Sequence, residues 1–334
     1  MAFKVGVIGI DHGHIFGMLA EMKKQGCTCD AYWTDGPAVT ENKFNDVFPE
    51  VVKVGERQRI LDDPEIRMIL ISAVPADRAG FAIEAMRAGK DVMVDKPGCT
   101  TLEQLDEIRA VQKETGRIWT VNFSERFTVP AVTRATELVQ GGAIGRVIQT
   151  VGLGPHKQNL KTRPDWFFER ERFGGILCDI GSHQVDQFLH FTGSRTAAVE
   201  HALVENTTMP EHPGFQDFGE MVLRSEKGHA YVRVDWFTPN GLPTWGDGRL
   251  FIQGTDGFIE LRKYTDIGRP HVTNSLFLVN GETNEMIPCD DAGLPYFPRL
   301  VADVEDRTET AVAQSHTFTT MELAIRAQMK AEGK

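Results

Sequence analysis

Gly6-Val7-Ile8-Gly9-Ile10-Asp11-His12-Gly13-His14 decides how this chain is read. The run Ala2–Ile8 is nearly continuous apolar sequence, as a strand buried on both faces requires. Beyond the loop, Ile15, Met18, Leu19 and Met22 fall at i, i+3, i+4 and i+7, one face of a helix that stops near Gly26. Strand, glycine turn and helix in this order are the start of a dinucleotide-binding fold, whose turn should read Gly-x-Gly-x-x-Gly. Here Gly9 stands first, Asp11 where the second glycine belongs, His14 where the third belongs, and Gly13 one place early. The second glycine normally lets the backbone approach a pyrophosphate, so a carboxylate there is electrostatically awkward unless it turns away. The amides of the helix start still suit a phosphate, and a protonated His12 would offset the acid. A metal held by His12-x-His14 is disfavoured, because helical residues two apart point in different directions and no third ligand is evident. No metal is expected.

Working outward, the alternation continues. Cys27–Thr34, Ile66–Ser72, Asp91–Asp95 and Ile118–Asn122 read as strands, with amphipathic helices over Ala79–Arg87 and Leu102–Thr115 between them. Strands alternating with helices argue for a parallel sheet covered on both faces. After a helix ending near Gly141-Gly142 strands dominate: Arg146–Gly152, Met221–Arg224, His229–Phe237, and Leu250–Gln253 turning through Gly254-Thr-Asp-Gly257 into Phe258–Arg262. The fold class expected is α/β: an N-terminal Rossmann-type doubly wound parallel sheet over 1–122, then an α+β domain over 123–334. That second domain carries an open, mainly antiparallel sheet and a last helix at about 319–331.

Composition narrows the function classes. A length of 334 residues fits two domains of roughly 100–200 residues. A formal net charge of −11 argues against a partner held by nucleic-acid phosphates. Five cysteines without paired spacing give no disulfide framework and suit a reducing compartment. No signal-peptide layout and no apolar run near the ~20 residues of a membrane span are evident, so the expected location is cytoplasmic.

Two further segments carry chemistry. Asp95-Lys96-Pro97 ends a parallel strand, the edge where ligands bind in open α/β sheets. Proline keeps Lys96 out of the helical region and holds its side chain at that edge. The bland reading is a solvated lysine. In Gly174-Gly175-Ile-Leu-Cys-Asp179-Ile-Gly181-Ser182-His183-Gln-Val-Asp186, the residues Asp179, His183 and Asp186 stand at i, i+4 and i+7, one face of a helix that begins by Asp179. A carboxylate beside an imidazole suits a general base near neutral pH. The bland reading makes Asp179 or Ser182 a helix cap and His183 a satisfied core residue.

Taken in order, the βα domain, Lys96-Pro97 and the Asp179-x-Gly181-x-His183 motif resemble the Gfo/Idh/MocA oxidoreductase family, the relatives of glucose–fructose oxidoreductase and inositol dehydrogenase. Ser124-Glu125-Arg126-Phe127, Ala143-Ile144-Gly145-Arg146-Val147 and Gly254-Thr-Asp-Gly257 extend the resemblance over nearly the whole chain. It implies an NAD(P)-dependent dehydrogenase or reductase acting on a secondary alcohol or ketone of a sugar, cyclitol or related polyol. Lys96, Asp179 and His183 would be its catalytic group, with an ammonium from the first domain and an imidazole from the second over one face of the nicotinamide. Arg126 matches a family arginine that faces substrate. His156 and Trp166 are further substrate contacts, although Trp166 equally suits the core. Lys161, Arg163, Arg170 and Arg172 would suit an anionic substituent, or simply form a solvated face.

Cofactor contacts fall to Gly9, Asp11, His12, Gly13, Thr34, Asp35, Val74, Pro75 and Lys96. Asp35 on the adenosine ribose favours NAD, whereas Thr34 facing the 2′-oxygen would admit NADP. The resemblance also implies a homodimer or homotetramer through the open sheet, near Tyr231 and Arg233. Two alternatives stand beside the dehydrogenase. One is a glycosidase-type enzyme that oxidises only transiently on retained NAD. The other is a ligand-binding or regulatory relative without turnover.

Overall fold

The computed structural model describes residues 2–269 and 271–334. Its chain folds into two units. The first joins Met1–Asn122 to Thr162–Gly174 and Tyr296–Met321; the second joins Phe123–Lys161, Gly175–Pro295 and Glu322–Lys334.

In the first unit the apolar runs become parallel strands. These are β1 (Lys4–Ile8), β2 (Ala31–Trp33), β3 (Val52–Lys53), β4 (Ile66–Ile71), β5 (Asp91–Asp95) and β6 (Trp119–Asn122). They are ordered β3-β2-β1-β4-β5-β6 and every pair is parallel. Val5, Val7, Ile8, Met68 to Ile71 and Val92 to Val94 have no exposed surface, which a sheet packed on both faces demands. The strand order reverses between β1 and β4, so the crevice beyond their carboxyl ends is the switch point where such sheets bind ligands. The helix Leu102–Thr115 has the limits its pattern predicts: Thr101 accepts from the Gln104 amide at its start, and Gly116 ends it at φ 63°.

Strand β3, the helix Glu41–Val47 and the helix Tyr296–Asp306 have no counterpart in the sequence reading. The last helix runs over Gln314–Ala331, so it starts before residue 319. Its first residue explains why. The Gln314 side-chain oxygen accepts the Trp119 amide at 2.9 Å, closing the open edge of β6. Likewise Arg307 grips the Asp91 carboxylate at 2.6 and 2.8 Å. Both are tertiary partnerships, which local periodicity does not encode.

The second unit is built on strands β7 (Val147–Pro155), β8 (Ala198–Glu205), β9 (Phe218–Arg224), β10 (His229–Asp235), β11 (Arg249–Gly254), β12 (Gly257–Arg262), β13 (Ser275–Asn280) and β14 (Asn284–Ile287). Their order is β14-β13-β12-β11-β7-β10-β9-β8; only β7 with β10 is parallel. One face is core: Val132, Ile144, Leu250, Ile252, Ile259, Leu261, Leu276 and Leu278 pack together. The hairpin at Gly254 needs a glycine, since a Cβ there would lie 2.0 Å from the Ile144 carbonyl oxygen. On the opposite face Val151, Leu153, Phe251, Phe258 and Phe277 are half-buried, and Phe251 stacks on Phe258 at 5.0 Å. All five cysteines are buried and none is in a disulfide, and among the described residues no helix is long and apolar enough to cross a membrane.

Candidate active site

The loop after β1 sits at the carboxyl edge of the first sheet. Gly9 has φ 76°, and a Cβ there would lie 2.4 Å from the Ala73 Cβ, so this position admits only glycine. The helix that follows is His14–Lys24, with Gly13 at its cap position and no side chain bonded to its start. Burial pushes the Asp11 carboxyl up to about 6, against the pull of Arg78.

Both histidines of the loop turn onto one carboxylate. His12 Nδ1 donates to Asp95 Oδ2 and His14 Nδ1 to Asp95 Oδ1, each at 2.7 Å. This differs from the expectation that the rings diverge. His12 lies in the loop before the helix, so helical spacing does not govern the pair. Asp95 is fully buried and also accepts Ser72 Oγ at 3.2 Å and Arg78 Nη2 at 3.0 Å. Burial alone would push its carboxyl up, but Arg78, His14 and His12 outweigh that and hold it well below the usual range. Burial also pushes His12 down to about 4, against the pull of Asp95. His12 is therefore neutral near pH 7, and the protonated His12 expected to offset Asp11 is corrected to a neutral imidazole. The three side chains could ligate a cation. However, the donor atoms already bond one another, and the Arg78 guanidinium occupies the same carboxylate, so the arrangement reads as a hydrogen-bonded clamp.

That clamp fixes Lys96. Arg78, 1% exposed, donates to the carbonyls of Ala73, Asp95, Lys96 and Pro97, joining the turn after β4 to the Lys-Pro turn after β5. The Lys96–Pro97 bond is cis and Lys96 is 3% exposed. Val74 and Pro75 open a short 3₁₀ turn over Pro75–Asp77 at the same edge. At the end of β2, Thr34 is buried and its hydroxyl has no hydrogen-bond partner, while Asp35 beside it is exposed. Arg172 forms a two-point ion pair with Asp77 at 2.9 Å, with both side chains partly exposed. Trp166 is half-buried in a 3₁₀ turn over Asp165–Phe168.

In the second unit, Asp179 ends a one-turn helix, Ile176–Asp179, and the helix Gly181–Thr192 begins two residues later. Ser182 Oγ donates to the Asp179 carbonyl, and Ile180 stands at the cap position of the longer helix. His183 is 1% exposed, and its ring meets Phe123 edge-on at 6.3 Å. Asp186 is held by Arg126, whose Nε and Nη2 each donate at 2.6 Å, so Arg126 and Asp186 satisfy one another. His156 follows β7; its Nδ1 donates to the Gly154 carbonyl at 3.1 Å, and its ring lies 4.5 Å from Trp245 and 5.4 Å from Trp236. Glu125, beside Arg126, is a functional candidate that the motif reading passed over.

Comparison with known proteins then fixes the family. Residues 3–123 match the model of an oxidoreductase family with an NAD-binding Rossmann fold, and residues 132–260 match the GFO/IDH/MocA C-terminal domain. The chain belongs to the GFO/IDH/MocA family. Among curated GFO/IDH/MocA relatives, a levoglucosan dehydrogenase of Pseudarthrobacter phenanthrenivorans is 31% identical over 51% of this chain and 43% of its own length. The NADP(+)-dependent scyllo-inositol 2-dehydrogenase of Bacillus subtilis is 24% identical over 76% and 70%. The chain thus spans under half of the first relative. A crystal structure from Erwinia carotovora atroseptica SCRI1043, described only provisionally as an oxidoreductase, is 42% identical at a TM-score of 0.95 and covers 98% of both chains.

The residues present fit the nicotinamide dinucleotide that the GFO/IDH/MocA Rossmann model implies. Gly9 provides the tight turn, the helix start at Gly13 has no side-chain cap, and Thr34, just past β2, carries a buried hydroxyl without a hydrogen-bond partner. Asp11, in place of the second glycine, is discordant in charge, and it gives a pH prediction. Its carboxylate repels a pyrophosphate when ionised, so NAD⁺ should bind more tightly as pH falls through about 6. Asp11→Gly should raise affinity at pH 7.5 by roughly tenfold, the order of one screened charge at close range. Calorimetric titration between pH 5.5 and 8 checks both. An unchanged affinity in the variant would show that Asp11 faces away.

Proposed function

We propose that the protein is an NAD(P)-dependent oxidoreductase acting on a secondary alcohol or ketone of a sugar, cyclitol or related polyol, with residues 1–122 binding the dinucleotide and 123–334 serving substrate binding and oligomerisation. The observation that carries this reading is the clamped Lys96 turn at the carboxyl edge of β5, in a chain that also keeps Asp179 and His183 of the family motif. The bound nicotinamide supplies the two-electron chemistry. His183 takes the hydroxyl proton of an alcohol or returns it to a ketone. The Lys96 ammonium stabilises alkoxide character as it develops on the substrate. Asp179 orients the substrate or the imidazole.

Asp35, exposed at the end of β2, suits a ribose diol and hence NAD, and the Thr34 hydroxyl is the feature that would admit NADP. With Arg126 paired to Asp186 and Arg172 to Asp77, neutral polyols fit better than acids. The half-buried aromatic face of the second sheet suits a homodimer or homotetramer contact.

The test is a panel of sugars, cyclitols and uronates with NAD⁺ and NADP⁺, read by absorbance of the reduced nicotinamide, with the solution mass measured alongside. Turnover on neutral polyols by an oligomer is expected; a flat panel would end the dehydrogenase reading. A binding-only relative is the second reading, favoured by Asp11 in the glycine loop. It would show NAD⁺ affinity without turnover.

A further inference from the structure

Glu125 is a charged residue in the core of the second unit, with 1% of its surface exposed. It sits on the one-turn helix Ser124–Phe127, two residues after the Phe123 that packs on the His183 ring. Its Oε2 accepts from Lys263 Nζ at 2.6 Å and from Gln184 Nε2 at 2.8 Å. Gln184 adjoins His183 in the helix and is seated against β7. A Cβ on Gly152 would come 2.5 Å from its Oε1, and one on Gly154 3.1 Å from its Nε2, so the two glycines make its room. The other carboxylate oxygen, Oε1, is buried and accepts no hydrogen bond from any described residue.

A desolvated carboxylate costs several kcal/mol before its pairing is counted, and an open acceptor adds to that. Such a group calls for a role beyond packing. Burial would push the Glu125 carboxyl up, but Lys263, then His183 and His156, outweigh it and hold it well below the usual range. Gln184, which donates to this carboxylate, adjoins His183 in the helix, and Phe123, two residues before Glu125, packs on the His183 ring. Burial, and then the same carboxylate, push the Tyr264 phenol well above its usual value, so Tyr264 stays neutral. The charges around the site are thus Glu125 and Lys263, the two imidazoles when protonated, the carboxylate of Asp179 on the preceding turn, and the mutually paired Arg126 and Asp186.

We infer that Glu125 is a positioning residue for the proposed reaction: a fixed negative charge, anchored by Lys263 and Gln184, that stabilises the imidazolium His183 becomes when it takes the substrate proton. The inference rests on the reading of His183 as the acid–base group. Glu125 itself stays ionised. The proton goes from the substrate hydroxyl to His183 and on to solvent, and Glu125 acts only through the field at the imidazole. An opposite charge close to an imidazole raises its titration midpoint by ~1 unit or more.

The test is nuclear magnetic resonance of the full chain with labelled histidines, His183 and His156 being identified by single substitution. Glu125→Gln keeps the shape and should lower the His183 midpoint by roughly one pH unit. The acidic limb of the rate profile should move the same way, a shift that a merely structural role would not produce. If Glu125→Gln fails to fold, Glu125→Gln with Lys263→Gln replaces the ion pair by a neutral one. That double variant should also lower the midpoint, but by less, because the opposing ammonium is gone too. A midpoint unchanged or raised in a folded variant overturns the inference. The resonance measurement needs no substrate, so it separates this outcome from a failure of the dehydrogenase reading. The latter would appear as a flat substrate panel, and a failure of the His183 assignment as His183→Asn retaining full turnover.

Discussion

Lys96→Ala should abolish most turnover while leaving NAD⁺ binding largely intact. The expected loss in kcat is ~10²–10⁴-fold, the range for a group that stabilises charge or moves a proton only as the reaction proceeds. The structure explains why no neighbour would substitute. The backbone carbonyls of Lys96 and Pro97 are held by Arg78, whose guanidinium is committed to Asp95 and to the turn. Lys96→Arg should not rescue, because a planar fork cannot place one point charge where an ammonium sat. Steady-state rates on the best substrate of the panel and calorimetry with NAD⁺ check the two halves separately. Full turnover in Lys96→Ala would remove the residue from the chemistry. Lost NAD⁺ affinity would move it to the cofactor site, where the resemblance also places it.

Much of this was legible from the chain alone, for physical reasons that differ from place to place. The parallel strands could be read because burial on both faces forces unbroken apolar runs, as in Met68–Ile71. The Gly9 turn could be read because only glycine fits beside Ala73. Strands β13 and β14 could not: they lie toward one edge of the sheet, and β14 is too exposed to alternate cleanly. The pairing of Arg126 with Asp186 was hidden for another reason. A helical face predicts which residues align, not which of them find a partner from another element 60 residues away. His12 and His14 show the same limit. Their shared partner is 83 and 81 residues distant, so the loop looked like a damaged phosphate turn when it is one side of a clamp. Glu125 is not legible as a site residue, because nothing local marks a glutamate whose counter-ion, Lys263, lies 138 residues further on.

That clamp should dominate the protein's response to acid and to substitution. Asp95 and Arg78 are both buried, at 0% and 1%, and removing one partner leaves the other as an uncompensated charge. Asp95→Ala is expected to cost roughly 3–5 kcal/mol of stability, measured by urea unfolding at pH 7.5. Asp95→Asn should cost less, because its amide oxygen can still accept from a histidine. The pH dependence follows from the direction of each shift. The Asp95 carboxyl is held below its unfolded value of ~3.9, so its contribution is fully present above that value and is lost as pH falls through the folded one. His12 is lowered to about 4 from an ordinary 6.5, so the unfolded chain binds the extra proton in that window and stability falls as pH drops from 6.5 toward 4. Acidification should therefore weaken the parent in two stages, the first carried by His12 and the second by Asp95. His12→Asn should flatten the first stage and leave the second. If the urea midpoint of the parent were constant between pH 6.5 and 4, His12 could not be the neutral, half-buried donor to Asp95, and the clamp would have to be redrawn around His14 and Arg78.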